Sequence, residues 1–189
     1  MGMKNFSISL IFFAIPLIFF HKNGVSLASA DQTLIQKTCT NTLYYKLCMS
    51  SLKSDPSSLT ADTKGLAIIM ASIGAANATA TSTYLSSQLP TSSSAATNAN
   101  NNKTKLLRQC SEKYAFAAEA LRESLKDLAD ETYDYAYMHV SAAADYANVC
   151  RDAFKGFPAV SYPAKLGRRE EGLKRICRVV LGILDLLGW

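Results

Sequence analysis

Residues 105–154 read KLLRQCSEKYAFAAEALRESLKDLADETYDYAYMHVSAAADYANVCRDAF, and this stretch decides the fold. Two amphipathic patterns run through it in succession. Leu107, Cys110, Tyr114, Ala117, Leu121, Leu125 and Leu128 recur at three-and-four spacing, which is one face of a helix from about Lys105 to Asp130. Ala136, Val140, Ala143, Ala147, Cys150 and Phe154 do the same for a second helix, from about Glu131 to Phe154. The break between them is short, so the helices should fold back on each other in antiparallel fashion.

That geometry constrains the cysteines. Cys110 and Cys150 lie equally far from a turn near Asp130, so they face each other across the helix pair, within reach of a disulfide. Cys39 and Cys48 flank Asn41-Thr42 and can clip a shorter hairpin. Cys177 is left over on the apolar stripe of the last helical segment, which predicts a buried free thiol.

Outward from this core the chain stays helical. Residues 31–51 read as two short helical pieces. Thr60 starts a helix whose apolar positions are Leu66, Ile69, Met70, Ile73, Ala76 and Ala80, with Thr60 as the N-cap signal. A Ser/Thr/Asn-rich stretch from Ser86 to Thr104 has loop composition. A last helix from about Lys165 to Leu187 buries Leu173, Ile176, Val180, Leu184 and Leu187. The fold class is all-α: an antiparallel four-helix bundle preceded by an N-terminal helical hairpin, with two disulfides.

The first thirty residues read as a leader. Lys4 precedes an apolar run from Ile8 to Phe20, and Ala28-Ser29-Ala30 is a small-residue cleavage site, which leaves 31–189 as the mature domain. No later segment is expected to cross a membrane. Without Lys4 and Lys22 the chain keeps 18 basic against 15 acidic residues, a net +3, and no basic run interleaved with aromatics speaks for nucleic acid. The excess is concentrated: 8 basic and 4 acidic residues lie from Arg151 onward, a solvated face or a patch that steers an acidic partner.

Catalysis finds little support. Loss of the leader leaves His139 as the only histidine, inside a helix with no motif around it. Asp134 and Asp145 could share a helix face as a carboxylate pair, but helical acids are usually just solvated. No phosphate loop, dinucleotide fingerprint or zinc spacing occurs, so neither a metal nor a cofactor is expected. Asn77-Ala78-Thr79 and Asn102-Lys103-Thr104 are N-glycosylation sequons, with Asn102 expected in the loop and Asn77 in a helix.

Several stretches resemble the plant invertase/pectin methylesterase inhibitor family. Thr38 to Cys48 is similar to that family's disulfide hairpin, and Ser51 to Pro56 to the turn after it. Gly65-Leu66-Ala67 resembles the start of its first bundle helix. Gln109 to Tyr114, Val140 to Ala143 and Cys150 to Phe154 match the surroundings of its third and fourth cysteines. The resemblance covers nearly all of the mature chain. It implies the same two disulfides and a secreted, monomeric, non-catalytic protein of the apoplast, cell wall or vacuole. Its partner would be pectin methylesterase or acid invertase, blocked in a one-to-one complex. The family's invertase inhibitors insert a Pro-Lys-Phe tripeptide from the turn between the two bridged helices. Tyr133-Asp134-Tyr135 stand there in this chain and are the target-contact candidates. An acid in place of that lysine would be repelled by a glycosidase's catalytic carboxylates. This tips a near-even balance towards pectin methylesterase. A secreted helical binding protein without inhibitory activity is the rival reading.

Overall fold

The computed structural model describes residues 27–90 and 98–188. Six α-helices are described: α1 (Leu27–Thr40), α2 (Tyr45–Ser54), α3 (Thr63–Ser87), α4 (Asn98–Ala129), α5 (Tyr133–Lys155) and α6 (Ala164–Leu184), with a 3₁₀ turn at Pro56–Leu59 before α3. The expected leader lies outside the described residues except for Leu27–Ala30, which open α1.

Helices α3 to α6 form the bundle, with α4 and α6 each packed on both α3 and α5. The α1–α2 hairpin lies across α3 and α6. Its bend sits directly on α6 at Gly182, where a Cβ would come within 3.3 Å of the Thr42 Cα. Any larger residue at that position has to push the hairpin off the bundle, because the obstacle is backbone.

The expected core faces of α4, α5 and α6 are buried almost throughout, with Leu125 and Leu187 only half-buried. The expected face of α3 is displaced around the helix. Its buried side is Leu66, Ala67, Met70, Ala71, Gly74, Ala75, Ala78, Thr81 and Leu85, whereas Ala76 and Ala80 are exposed. The bulkier residues Ile69 and Ile73 drew the sequence reading to one side. The helix instead packs through its small residues, which permit a closer approach: a Cβ on Gly74 would meet Leu121 and Ile176 at 3.2 Å. The same small apolar residues make α3 long and apolar enough to cross a membrane by composition (mean hydropathy 1.3), contrary to expectation. Half of that window is inside the bundle, as befits a core helix.

Helix starts also move. Asp62, not Thr60, caps α3, its Oδ1 accepting from the Gly65 amide at 2.7 Å. Thr60 terminates the 3₁₀ turn that Pro56 starts. α4 begins seven residues early, at Asn98, so Asn102 lies in a helix and not in the loop.

Both disulfides join the anticipated partners, with Cα–Cα distances of 5.5 Å for Cys39–Cys48 and 4.9 Å for Cys110–Cys150. Cys177 is free and fully buried, and burial pushes its thiol pKa up to about 12. With almost no thiolate at neutral pH it is chemically quiet.

Candidate functional site

The α4–α5 turn is built by backbone closure. The Thr132 amide donates to the Asp127 carbonyl at 2.9 Å and the Glu131 amide to Leu128 at 3.3 Å. These are the two bonds of a Schellman termination. The residue between them, Glu131, has φ 60°, the left-handed conformation usually given to glycine. Its carboxylate accepts from Lys64 Nζ at 2.8 Å, tying the turn to the first turn of α3, and that bond raises the Lys64 pKa. Beneath the turn, His139 Nδ1 and Asp127 Oδ2 lie 2.6 Å apart and join α5 to α4.

The left-handed glutamate yields a prediction. Glu131→Gly relieves roughly 1–2 kcal/mol of backbone strain and forfeits a surface ion pair worth about 0–1 kcal/mol. After roughly 0.5–1 kcal/mol for the freedom that glycine adds to the unfolded chain, net stabilisation of up to about 1.5 kcal/mol is expected, read as a raised urea midpoint at constant slope.

From this closed turn the three candidate residues point different ways. Tyr133 is half-buried and packs against the core, while Asp134 and Tyr135 are exposed, Tyr135 at 53%. Tyr137, one turn further, is again half-buried against the core. The side chain of Thr132 bonds back to the Asp127 carbonyl at 3.2 Å and makes no cap bond to α5. The first amides of α5 are therefore not capped by Thr132, and Asp134 sits in that first turn, where the helix dipole favours an acid. The result is a fixed, outward-facing Asp134-Tyr135 pair on an α5 terminus held to α3 and α4. It presents a ring and a carboxylate to solvent. His139, the one histidine considered for catalysis, is engaged with Asp127.

A profile of the plant invertase/pectin methylesterase inhibitor family matches residues 33–183, almost the whole described chain. The chain belongs to that family. It is 51% identical to the cell wall / vacuolar inhibitor of fructosidase 2 of Arabidopsis thaliana, over 95% of this chain and 97% of that one. It is 39% identical to pectinesterase inhibitor 28 of Oryza sativa subsp. japonica, over 86% of this chain and 73% of that one. A crystal structure of a mutant pectin methylesterase inhibitor from Arabidopsis covers 80% of this chain and 95% of its own, with a TM-score of 0.62 at 24% identity. That likeness speaks for the fold.

Sequence reasoning placed the turn but missed what braces it. Lys64–Glu131 joins residues 67 apart, and nothing local announces it. Asp127–His139 falls outside the equidistance argument that paired Cys110 with Cys150, because Asp127 lies three residues and His139 nine residues from Asp130. The basic excess after Arg151 is partly spent inside the fold: Arg151 pairs with Glu170, Lys155 with Asp152 and Arg175 with Glu171. Arg168 and Arg178 are exposed and form no ion pair among the described residues.

Proposed function

We propose that this chain is a secreted inhibitor of acid invertase, the β-fructofuranosidase of the plant cell wall or vacuole, acting as a one-to-one complex. Its family consists of inhibitors of enzymes, not enzymes. The choice of target is carried by the 51% identity, along 95% of the chain, to a fructosidase inhibitor. The pectinesterase inhibitor of rice is 39% identical over a shorter span. This outweighs the preference for pectin methylesterase drawn from Asp134 alone.

The α4–α5 turn supports the reading physically. Its disulfide-braced helices lose little conformational freedom on docking, and Tyr135 offers the kind of exposed ring that serves as an interface anchor. Pectin methylesterase remains the second reading, and Asp134 is the observation that favours it: a carboxylate pointed at a glycosidase's own carboxylates costs affinity.

Titration of the oxidised protein against a plant acid invertase and a plant pectin methylesterase, at mildly acidic pH, separates the two. Inhibition of the esterase alone overturns the assignment, and inhibition of neither by correctly folded protein leaves only the shared scaffold. On the enzyme that responds, Tyr135→Ala is expected to weaken inhibition ~10–100-fold by removing an anchor ring, with the fold intact because the ring is exposed. Unchanged inhibition after replacing Tyr133, Asp134 and Tyr135 together with alanine would move the contact to another face of the bundle.

A further inference from the structure

A groove of about 660 Å³ opens between the start of α2 and the bundle, lined by Leu43, Tyr44, Tyr45, Asn77, Arg175 and Ile176 among others. It is mainly apolar, and its rim carries Leu43 at 71% and Tyr45 at 41% exposure, more apolar surface than a free-standing hairpin needs to show. Its floor includes Gly172, where a Cβ would meet nothing within 4 Å. Asn77, which heads the Asn77-Ala78-Thr79 sequon, lies in the lining. Its side chain is half-buried, and its Oδ1 is buried without a hydrogen-bond partner among the described residues. Nδ2 is the atom that carries an N-linked glycan.

We propose that Asn77 is N-glycosylated and that the innermost sugars of its glycan lie in this groove. The proposal rests on the secretory reading above. The oligosaccharide comes from a lipid pyrophosphate donor: Nδ2 loses a proton and bonds to the anomeric carbon, whose bond to the pyrophosphate oxygen breaks as the lipid pyrophosphate leaves. Transfer to the chain before folding makes the later helical setting of Asn77 no obstacle. Once α3 forms, the glycan starts inside a channel suited to it. Pyranose rings present C–H faces that pack on Tyr44, Tyr45 and Leu43, and hydroxyls that accept from Arg175, whose guanidinium already lies 5.5 Å from the Tyr44 ring centroid. The pocket lined by Lys103, beside Asn102 in sequence, is about 130 Å³ and does not include the Asn102 side chain.

The test uses the full chain, secreted from plant cells with its own leader, beside oxidised protein made in bacteria. Release of N-glycans with a plant-active glycosidase in isotopic water should leave a marked aspartate at position 77. The secreted form should melt ~2–4 °C above the bacterial form, the size expected when a modest patch is covered. Asn77→Gln should abolish that difference, and Asn102→Gln should leave it. Gly172→Phe, which fills the groove from an open position, should raise the melting temperature of the bacterial form and reduce dye binding to it. An unmodified Asn77 in secreted protein, or a chain that never enters the secretory route, overturns the proposal. A modified Asn77 with identical melting of both forms overturns its placement in the groove. Inhibition is titrated separately on both forms, so failure of the target assignment is distinguishable from failure of this one.

Discussion

Replacing Cys110 and Cys150 together with serine lowers the stability of the folded chain by about 4 kcal/mol, the loop-entropy value for a closed loop of 40 residues. The bridge ties α4 to α5 roughly 30 Å along the helices from their shared turn, at a rise of ~1.5 Å per residue. The loop it closes therefore contains the whole turn and most of both helices. Cutting it frees the unfolded chain far more than the folded one, because the facing residues stay packed around Tyr114, Ala117, Ala143 and Ala147. In a domain of this size the melting temperature should fall by ~8–16 °C. Cys39–Cys48 closes only nine residues and should contribute less, about 2–3 kcal/mol on the same scale. Differential scanning calorimetry of the two double-serine variants checks both numbers and their order. Equal losses would mean that residual denatured-state structure, and not loop length, sets the gain. Below its melting temperature the Cys110/Cys150 variant should inhibit within about threefold of the parent, since the Schellman closure and the Lys64–Glu131 pair hold the turn without the bridge.

The reach of sequence reasoning here follows the kind of information each feature carries. Helix periodicity found α4, α5 and α6, because bulky apolar residues mark their buried sides and polar residues mark the rest. It found α3 as a helix but misplaced part of its buried face, because alanine and threonine there occupy both the surface and the core. Small residues say little about which side is buried until a partner helix is placed. The disulfides were legible because antiparallel geometry converts equal distance from a turn into spatial proximity. The turn was locatable, and its residues Tyr133, Asp134 and Tyr135 could be named. Which ring faces solvent could not, since adjacent helical positions point about 100° apart and the phase depends on where α5 begins. A buried carboxylate such as Glu170 is least legible of all, because its three partners come from α5, the α5–α6 connection and α6.

Glu170 carries the second large effect. It is fully buried on α6, with Oε2 accepting from Arg151 Nε at 2.9 Å and from the Tyr162 hydroxyl at 2.7 Å. Lys174 stands further off, at 3.8 Å from Oε1, and Oε1 has no hydrogen-bond partner. Burial and the carboxylate together push the Tyr162 hydroxyl pKa far above its ordinary value, so Tyr162 remains a donor at every pH the protein meets. The Tyr114 hydroxyl, also buried and without a hydrogen-bond partner, is raised by burial and by the same carboxylate. Two neutral phenols cannot balance a charge, so Arg151 supplies most of the compensation. Arg151→Met keeps the apolar stem and removes the charge, leaving a buried carboxylate with one distant ammonium. Breaking a buried pair in this way costs about 3–5 kcal/mol. The Arg151 side chain is 45% exposed, so solvent already screens part of the pairing and roughly 2–3 kcal/mol is expected. Adding Glu170→Met should recover part of that loss, because the uncompensated charge is gone and only the Tyr162 hydroxyl loses its acceptor. A double-mutant cycle in urea measures the recovery. A single Arg151→Met variant within about 0.5 kcal/mol of the parent would show that Lys174 and Tyr162 suffice. The network lies at the end of the bundle away from the α4–α5 turn. Its loss should therefore lower the melting temperature while leaving the inhibition constant of the folded fraction unchanged, which separates the scaffold's stability from the surface that meets the target.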